Sequence, residues 1–169
     1  MIVLKNILVP TDFGPPSERA LEYGRHFARQ FGARLHVLHT VESVMVAGGA
    51  EVPVAAVEQV EKSLDAAARR QLEAAITADD RSSFSVVPVV RMAGGAATDI
   101  VEYARQESID LIVMGTHGRG ALKHLLMGSV AERVVRTAPC PVLTVRHPQH
   151  EFITEALLQA GQENAAPVA

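Results

Sequence analysis

The chain has a single cysteine, Cys140, no excess of positive charge, and no apolar run long enough to cross a bilayer. A lone cysteine excludes an internal disulfide, and without paired or clustered cysteines nothing points to a structural metal, which fits a cytoplasmic protein. Net charge is −3, yet three of the 19 acidic residues, Glu151, Glu155 and Glu163, lie after His147, where no Lys or Arg occurs. Setting them aside leaves 16 acidic residues against 16 basic. Nucleic-acid binders usually carry a basic face or stripe, so this balance argues against a polyanion-binding surface. The opening stretch from Met1 to Pro10 is interrupted by Lys5 and Asn6 and has no small-residue cleavage signal, so it reads as a strand. Also missing after that strand is Gly-x-Gly-x-x-Gly. Thr11-Asp12-Phe13-Gly14 stands there instead, which weighs against a dinucleotide-dependent oxidoreductase.

What the chain does have is alternation. Five short runs rich in branched residues, Asn6 to Val9, Arg34 to Val41, Ser85 to Arg91, Leu111 to Met114 and Val142 to Arg146, are separated by four stretches of helical spacing. The first helix is expected between Pro15-Pro16 and Gly32, and the second over about Val54 to Ala78 with Val57, Val60, Leu64, Ala68, Leu72 and Ile76 as its apolar stripe. The third covers about Ala96 to Gln106, and the fourth Ser129 to Thr137, stopped by Ala138-Pro139. Continuous apolar strands alternating with helices imply an α/β fold: an open, doubly wound parallel sheet with helices on both faces. With 169 residues, 48% of them apolar, one compact domain over residues 1–147 is expected, followed by an acidic tail at 148–169 that is partly helical or disordered. The Glu42 to Pro53 segment, with Gly48-Gly49 and no clear period, reads as a mobile flap or a small partner patch.

Ligands in such sheets bind at the carboxyl ends of the strands. Those ends carry Pro10-Thr11-Asp12, His39-Thr40-Val41 and Met114-Gly115. From Gly115 the chain continues through Gly118 to Gly128-Ser129, with Val130 opening the fourth helix. Backbone N–H groups can lie against phosphate oxygens only where side chains do not intervene, and a helix N-terminus adds further amides and a favourable dipole. The segment therefore reads as a phosphate cradle, with Ser129 as N-cap or phosphate donor and Arg119 and Lys123 as nearby cations. Asp12 could accept from ribose hydroxyls or cap the following helix, and the Thr40 backbone could meet an adenine edge. His117 could donate to phosphate or face solvent. Met114 could pack on a base or fill the core. His39 reads as a core histidine with its hydrogen bonds satisfied, and Cys140 as a small packing residue.

Pro10-Thr11-Asp12-Phe13, Leu38-His39-Thr40-Val41, Met114-Gly115-Thr-His-Gly118 and Ala138-Pro-Cys-Pro-Val142 together resemble the universal stress protein family over about residues 2–147. The Gly-x2-Gly-x9-Gly-Ser spacing is similar to its ATP-binding branch. The resemblance implies a five-stranded parallel sheet in the order 3-2-1-4-5, homodimers paired through the last strand, Val142 to Arg146, and ATP at the strand carboxyl ends, with magnesium as a candidate companion. It places Asp12 at the ribose, the Thr40 backbone at the adenine, and Gly115, Gly118, Gly128, Ser129 and Val130 at the phosphates. Gly14-Pro15-Pro16 stands where many members have Ser, and Thr40 where many have Val. A role in the stress response follows, as a nucleotide-binding regulatory dimer without membrane or nucleic-acid partners and with at most weak ATPase activity. The competing expectation is a nucleotide-free interaction module whose glycines serve only the turn.

Overall fold

The structure, a computed structural model, describes residues 2–43, 54–117 and 127–146. Gly118, Arg119 and Lys123, most of the Glu42 to Pro53 segment, and the tail from Pro148 lie outside the described residues. The elements are β1 (Asn6–Pro10), α1 (Pro15–Phe31), β2 (Arg34–Glu42), α2 (Val54–Ala75), α3 (Ala78–Ser83), β3 (Val86–Ala93), α4 (Ala96–Gln106), β4 (Leu111–Gly115), α5 (Ser129–Thr137) and β5 (Val142–Val145). All strand pairs are parallel, and the order is β3-β2-β1-β4-β5. The sheet order reverses at β1, whose neighbours are β2 on one side and β4 on the other. A crevice forms at the carboxyl ends where the chain winds away in opposite directions.

Both faces of the sheet are covered, and the strands show why. Ile7, Leu8 and Val9 are all fully buried, so β1 reads as a continuous apolar run. Because successive side chains alternate faces, Ile7 and Val9 pack with α1 residues Ala20, Leu21 and Ala28 and with Leu72 of α2. Leu8 points the other way, joining Leu38, Ile112, Ile100 and Tyr103 of the central strands and α4, and Val134 of α5. Helix α1 starts with Pro15 and Pro16 after an N-cap at Gly14 and stops at Gly32, which takes the left-handed conformation (φ 62°) that a helix terminus favours in glycine. Midway along it, Gly24 lets the helix settle on β1: a Cβ there would lie 2.5 Å from Val9 Cγ2.

The expected second helix is present and ends at Ala75, and a short helix the sequence reading did not include, α3, follows it. Thr77 starts α3 with a reciprocal cap, its hydroxyl accepting from Asp80 N–H at 3.1 Å while Asp80 Oδ2 accepts from Thr77 N–H at 2.9 Å. Asp80 is buried and is gripped through both carboxylate oxygens by Arg25 Nε at 2.9 and 3.0 Å, while Arg25 Nη2 donates to the Ala75 carbonyl at 2.7 Å. The pair docks α3 against α1. Within the α2 stripe, Val57, Ala68 and Leu72 are buried, with Ile76 just beyond, but Val60 and Leu64 are exposed.

The sheet edges differ. On β3, Pro88 sits level with Val37 and removes an outward donor, a common means of blunting an edge. On β5, Val-Leu-Thr-Val carries neither proline nor charge.

Candidate functional site

The crevice at the sheet switch point is built from the turn after β1. Thr11 N–H continues the ladder by donating to the Leu38 carbonyl at 2.8 Å. Its hydroxyl then accepts from Phe13 N–H at 3.0 Å. Asp12 Oδ1 accepts from Gly14 N–H at 3.1 Å and from the Ser17 hydroxyl at 2.7 Å, and Ser17 Oγ also approaches the Gly14 carbonyl (2.9 Å) and Thr11 Oγ1 (3.2 Å). Phe13 sits at φ 59°, left-handed backbone that a bulky side chain adopts only when its surroundings impose it. Asp12 is thus stapled to the first turn of α1. Asp12 is not the helix cap: Gly14 is the N-cap and has no side-chain cap bond, while Asp12 ties down the turn and lines the cavity.

Opposite stands the end of β4. Thr116 N–H donates to the Val145 carbonyl at 2.9 Å, and the Thr116 carbonyl accepts from Gly128 N–H at 2.8 Å. One residue therefore holds the sheet edge and the start of α5 together. His117 Nδ1 lies 3.0 Å from Thr116 Oγ1. Ser129, expected as N-cap, is instead the first residue of α5, and Gly128 caps it with an ordinary extended backbone (φ −77°, ψ 155°). The reason is geometric: Gly128 is the residue whose carbonyl accepts the first helical bond, from Glu132 N–H at 2.9 Å. The first turn of a helix carries amides with no intrahelical acceptor, and the first-turn residues of α5, Ser129, Val130 and Ala131, line the cavity.

These walls enclose a cavity of about 460 Å³, within the usual size of small-molecule sites. Pro10, Thr11, Asp12, Thr40, Met114, Gly115, Gly128, Ser129 and Val130 all line it. Only Gly118 of the expected set lies outside the described residues. Met114 fills the core between α4 and α5, as one of its expected roles has it, and also lines the cavity. Gly115 has a reason the sequence did not show: a Cβ there would sit 2.8 Å from Pro16 Cβ and 2.9 Å from its carbonyl carbon, so the close approach of α1 demands glycine. Among the lining residues that sequence reasoning missed are Ser17, Leu38, Ala96, Ile100 and Thr116. Leu38, Ala96 and Ile100 give the end near Thr40 an apolar wall. His39 is half-buried, its Nδ1 2.7 Å from the Thr11 carbonyl. Cys140 packs half-buried on the α4 and α5 core, where burial pushes its thiol up. Among the described residues, no three His, Cys, Asp or Glu side chains group to hold a metal, and no helix is long and apolar enough to cross a membrane.

An open doubly wound parallel sheet with a cavity at its switch point defines a Rossmann-like type of α/β domain, whose ligands sit at the strand carboxyl ends. Over residues 4–146 the chain matches the universal stress protein family, and it belongs to that family. It is 33% identical to universal stress protein MJ0531 of Methanocaldococcus jannaschii, the alignment covering 87% of this chain and 85% of that one. Its fold superposes on protein MJ0577 of the same organism with a TM-score of 0.77 at 28% identity, over 88% of this chain and all of that one. A universal stress protein of Archaeoglobus fulgidus, solved in complex with dAMP, shares the fold with a TM-score of 0.55 at 21% identity, covering 86% of this chain and 99% of that one.

Proposed function

We propose that this universal stress protein binds ATP in the switch-point cavity and acts as a cytoplasmic regulatory homodimer in the stress response, with slow or no hydrolysis. The observation that carries the reading is the convergence of the β1 and β4 ends and the first turn of α5 on one cavity. Asp12 and the first-turn residues of α5, Ser129, Val130 and Ala131, line that same cavity. That pairing suits a ligand with hydroxyls at one end and anionic oxygens at the other. Asp12 takes the ribose and the Thr40 backbone the adenine, in the apolar slot beside Leu38 and Ile100. Gly115, Gly128, Ser129 and Val130 take the phosphates, with Gly118 assigned there by its spacing. The dAMP complex of the Archaeoglobus fulgidus relative shows that this fold can hold an adenine nucleotide. A magnesium ion arriving with the triphosphate would be held mainly by phosphate oxygens and water, with Asp12 as a wall carboxylate.

Fast hydrolysis needs a base or metal that positions the attacking water. Asp12 Oδ1 is engaged by Ser17 and Gly14, and His117 Nδ1 faces Thr116 Oγ1. Neither of these atoms is placed as a base for an attacking water. For assembly, the unblunted β5 edge, with Val135 exposed on the adjoining α5, is the surface a second copy would pair with. Titration of ATP into purified protein, with Asp12→Ala beside it, tests the central reading. Heat of binding that falls at least tenfold in affinity in the variant is expected. No heat from the unaltered protein, and no adenine nucleotide released from it on denaturation, would favour the interaction-module reading. One observation already leans that way: Gly115 is explained by packing alone.

A further inference from the structure

Beyond Pro10, β1 has no strand partner for its next carbonyl. The Thr11 N–H is taken by Leu38, but the Thr11 C=O sits at a residue only 8% exposed and must find a donor that is not main chain. His39 supplies it, with Nδ1 at 2.7 Å. A carbonyl oxygen only accepts, so Nδ1 carries the proton, and the hydrogen bond thereby selects the ring's tautomer. The same imidazole lies against the Phe13 ring, centroids 4.5 Å apart and tilted by 38°, and Phe13 is the residue at φ 59°. One side chain therefore satisfies the carbonyl before Asp12 and packs on the strained residue after it. His39 itself does not line the cavity.

We propose that His39 is a positioning residue for the nucleotide site, fixing the aim of Asp12 by clamping Thr11 and Phe13 on either side of it. This rests on the nucleotide reading of the cavity, and it adds a regulator of that site's affinity that touches no ligand. In the fold, β2 would then serve the site twice, through Thr40 at the cavity wall and through His39 behind the turn.

Two measurements test it. In 15N-labelled protein at about pH 8, where free imidazole is neutral, correlation of ring nitrogens with ring protons should show His39 with Nδ1 protonated and Nε2 bare. ATP titrations then compare His39→Phe, which keeps a ring against Phe13 but has no donor, with His39→Asn, whose amide can still reach the carbonyl. His39→Phe should bind about tenfold more weakly, and His39→Asn should stay within roughly threefold of the parent. In an Asp12→Ala background, His39→Phe should cost nothing further, because its effect passes through Asp12. A bare Nδ1, or parent affinity in His39→Phe, would overturn the clamp. If His39→Phe does not fold, the tautomer and His39→Asn still decide. An unaltered protein that binds no ATP would sink the nucleotide reading instead, a result told apart from the others by being seen before any variant is made.

Discussion

Replacing Gly115 by alanine separates two explanations of the same glycine. If it were kept only to let phosphate approach the backbone, the ligand-free protein would gain a little stability, because alanine restricts the unfolded chain by about 0.4–1 kcal/mol. The geometry says otherwise. The new Cβ would meet Pro16 at 2.8 Å from Cβ, 2.9 Å from the carbonyl carbon and 3.0 Å from the carbonyl oxygen, well inside van der Waals contact. Two of those three atoms are backbone in the first turn of α1, and the third belongs to a proline ring, so none can swing aside. Overpacking of this kind costs about 1–3 kcal/mol. Subtracting the unfolded-state gain leaves a net loss of about 0–2.6 kcal/mol, and the midpoint of about 1.3 kcal/mol lowers the melting temperature of a domain of this size by about 3–5 °C. Moving α1 also displaces Ser17 and with it Asp12, so ATP affinity should fall in the same variant. Calorimetric melting without nucleotide is the deciding assay. A melting temperature equal to or above that of the parent would refute the packing account, whatever happens to binding.

Removing the guanidinium in Arg25→Met leaves buried Asp80 without its partner and should cost about 3–5 kcal/mol in urea unfolding at neutral pH. Burial opposes ionisation of Asp80, but the Arg25 and Thr77 hydrogen bonds outweigh it and hold its carboxyl below the usual range. The stabilisation is therefore present above the ordinary carboxylate value and disappears as pH falls through the lowered one, so parent and variant should converge in acid. His36 titrates in a different window: burial lowers it from 6.5, so the unfolded chain takes up a proton first, and stability should decline as pH drops below 6.5. Unfolding free energies of the parent that stay flat from about pH 7 to pH 5, against a His36→Leu control, would contradict this. Val142→Glu or Thr144→Asp should convert a dimer to monomer by light scattering, and an unchanged mass would move the interface elsewhere. Single-turnover ATP cleavage should be negligible, whereas rapid cleavage lost in His117→Ala would reassign His117 as a catalytic residue.

The strands were legible because sheets covered on both faces leave their signature in unbroken apolar runs such as Ile7-Leu8-Val9. Helix α4 was bounded correctly for the complementary reason, its apolar face being interrupted at helical spacing. Helix α3 was missed because the apolar stripe stops at Ile76, although Thr77-Ala-Asp-Asp80 holds the local signal of a reciprocal cap. Period alone assigned Val60 and Leu64 to the core, yet burial depends on how far the neighbouring element reaches, which periodicity does not encode. At the site, residues at strand ends were found by position, since an open parallel sheet has only one carboxyl edge. Ser17 was not, because its role arises only when the turn at Phe13 folds α1 back toward Asp12. The packing reason for Gly115 likewise depends on Pro16, a neighbour in space from a distant part of the chain.

The two borders of the sheet set a limit on growth. If two copies meet through β5 about a twofold axis, the doubled sheet ends at both extremes in a strand bearing Pro88, which offers fewer donors for a third chain. Assembly then closes at the pair instead of extending into a filament, and a single imino acid on the far rim is what terminates it.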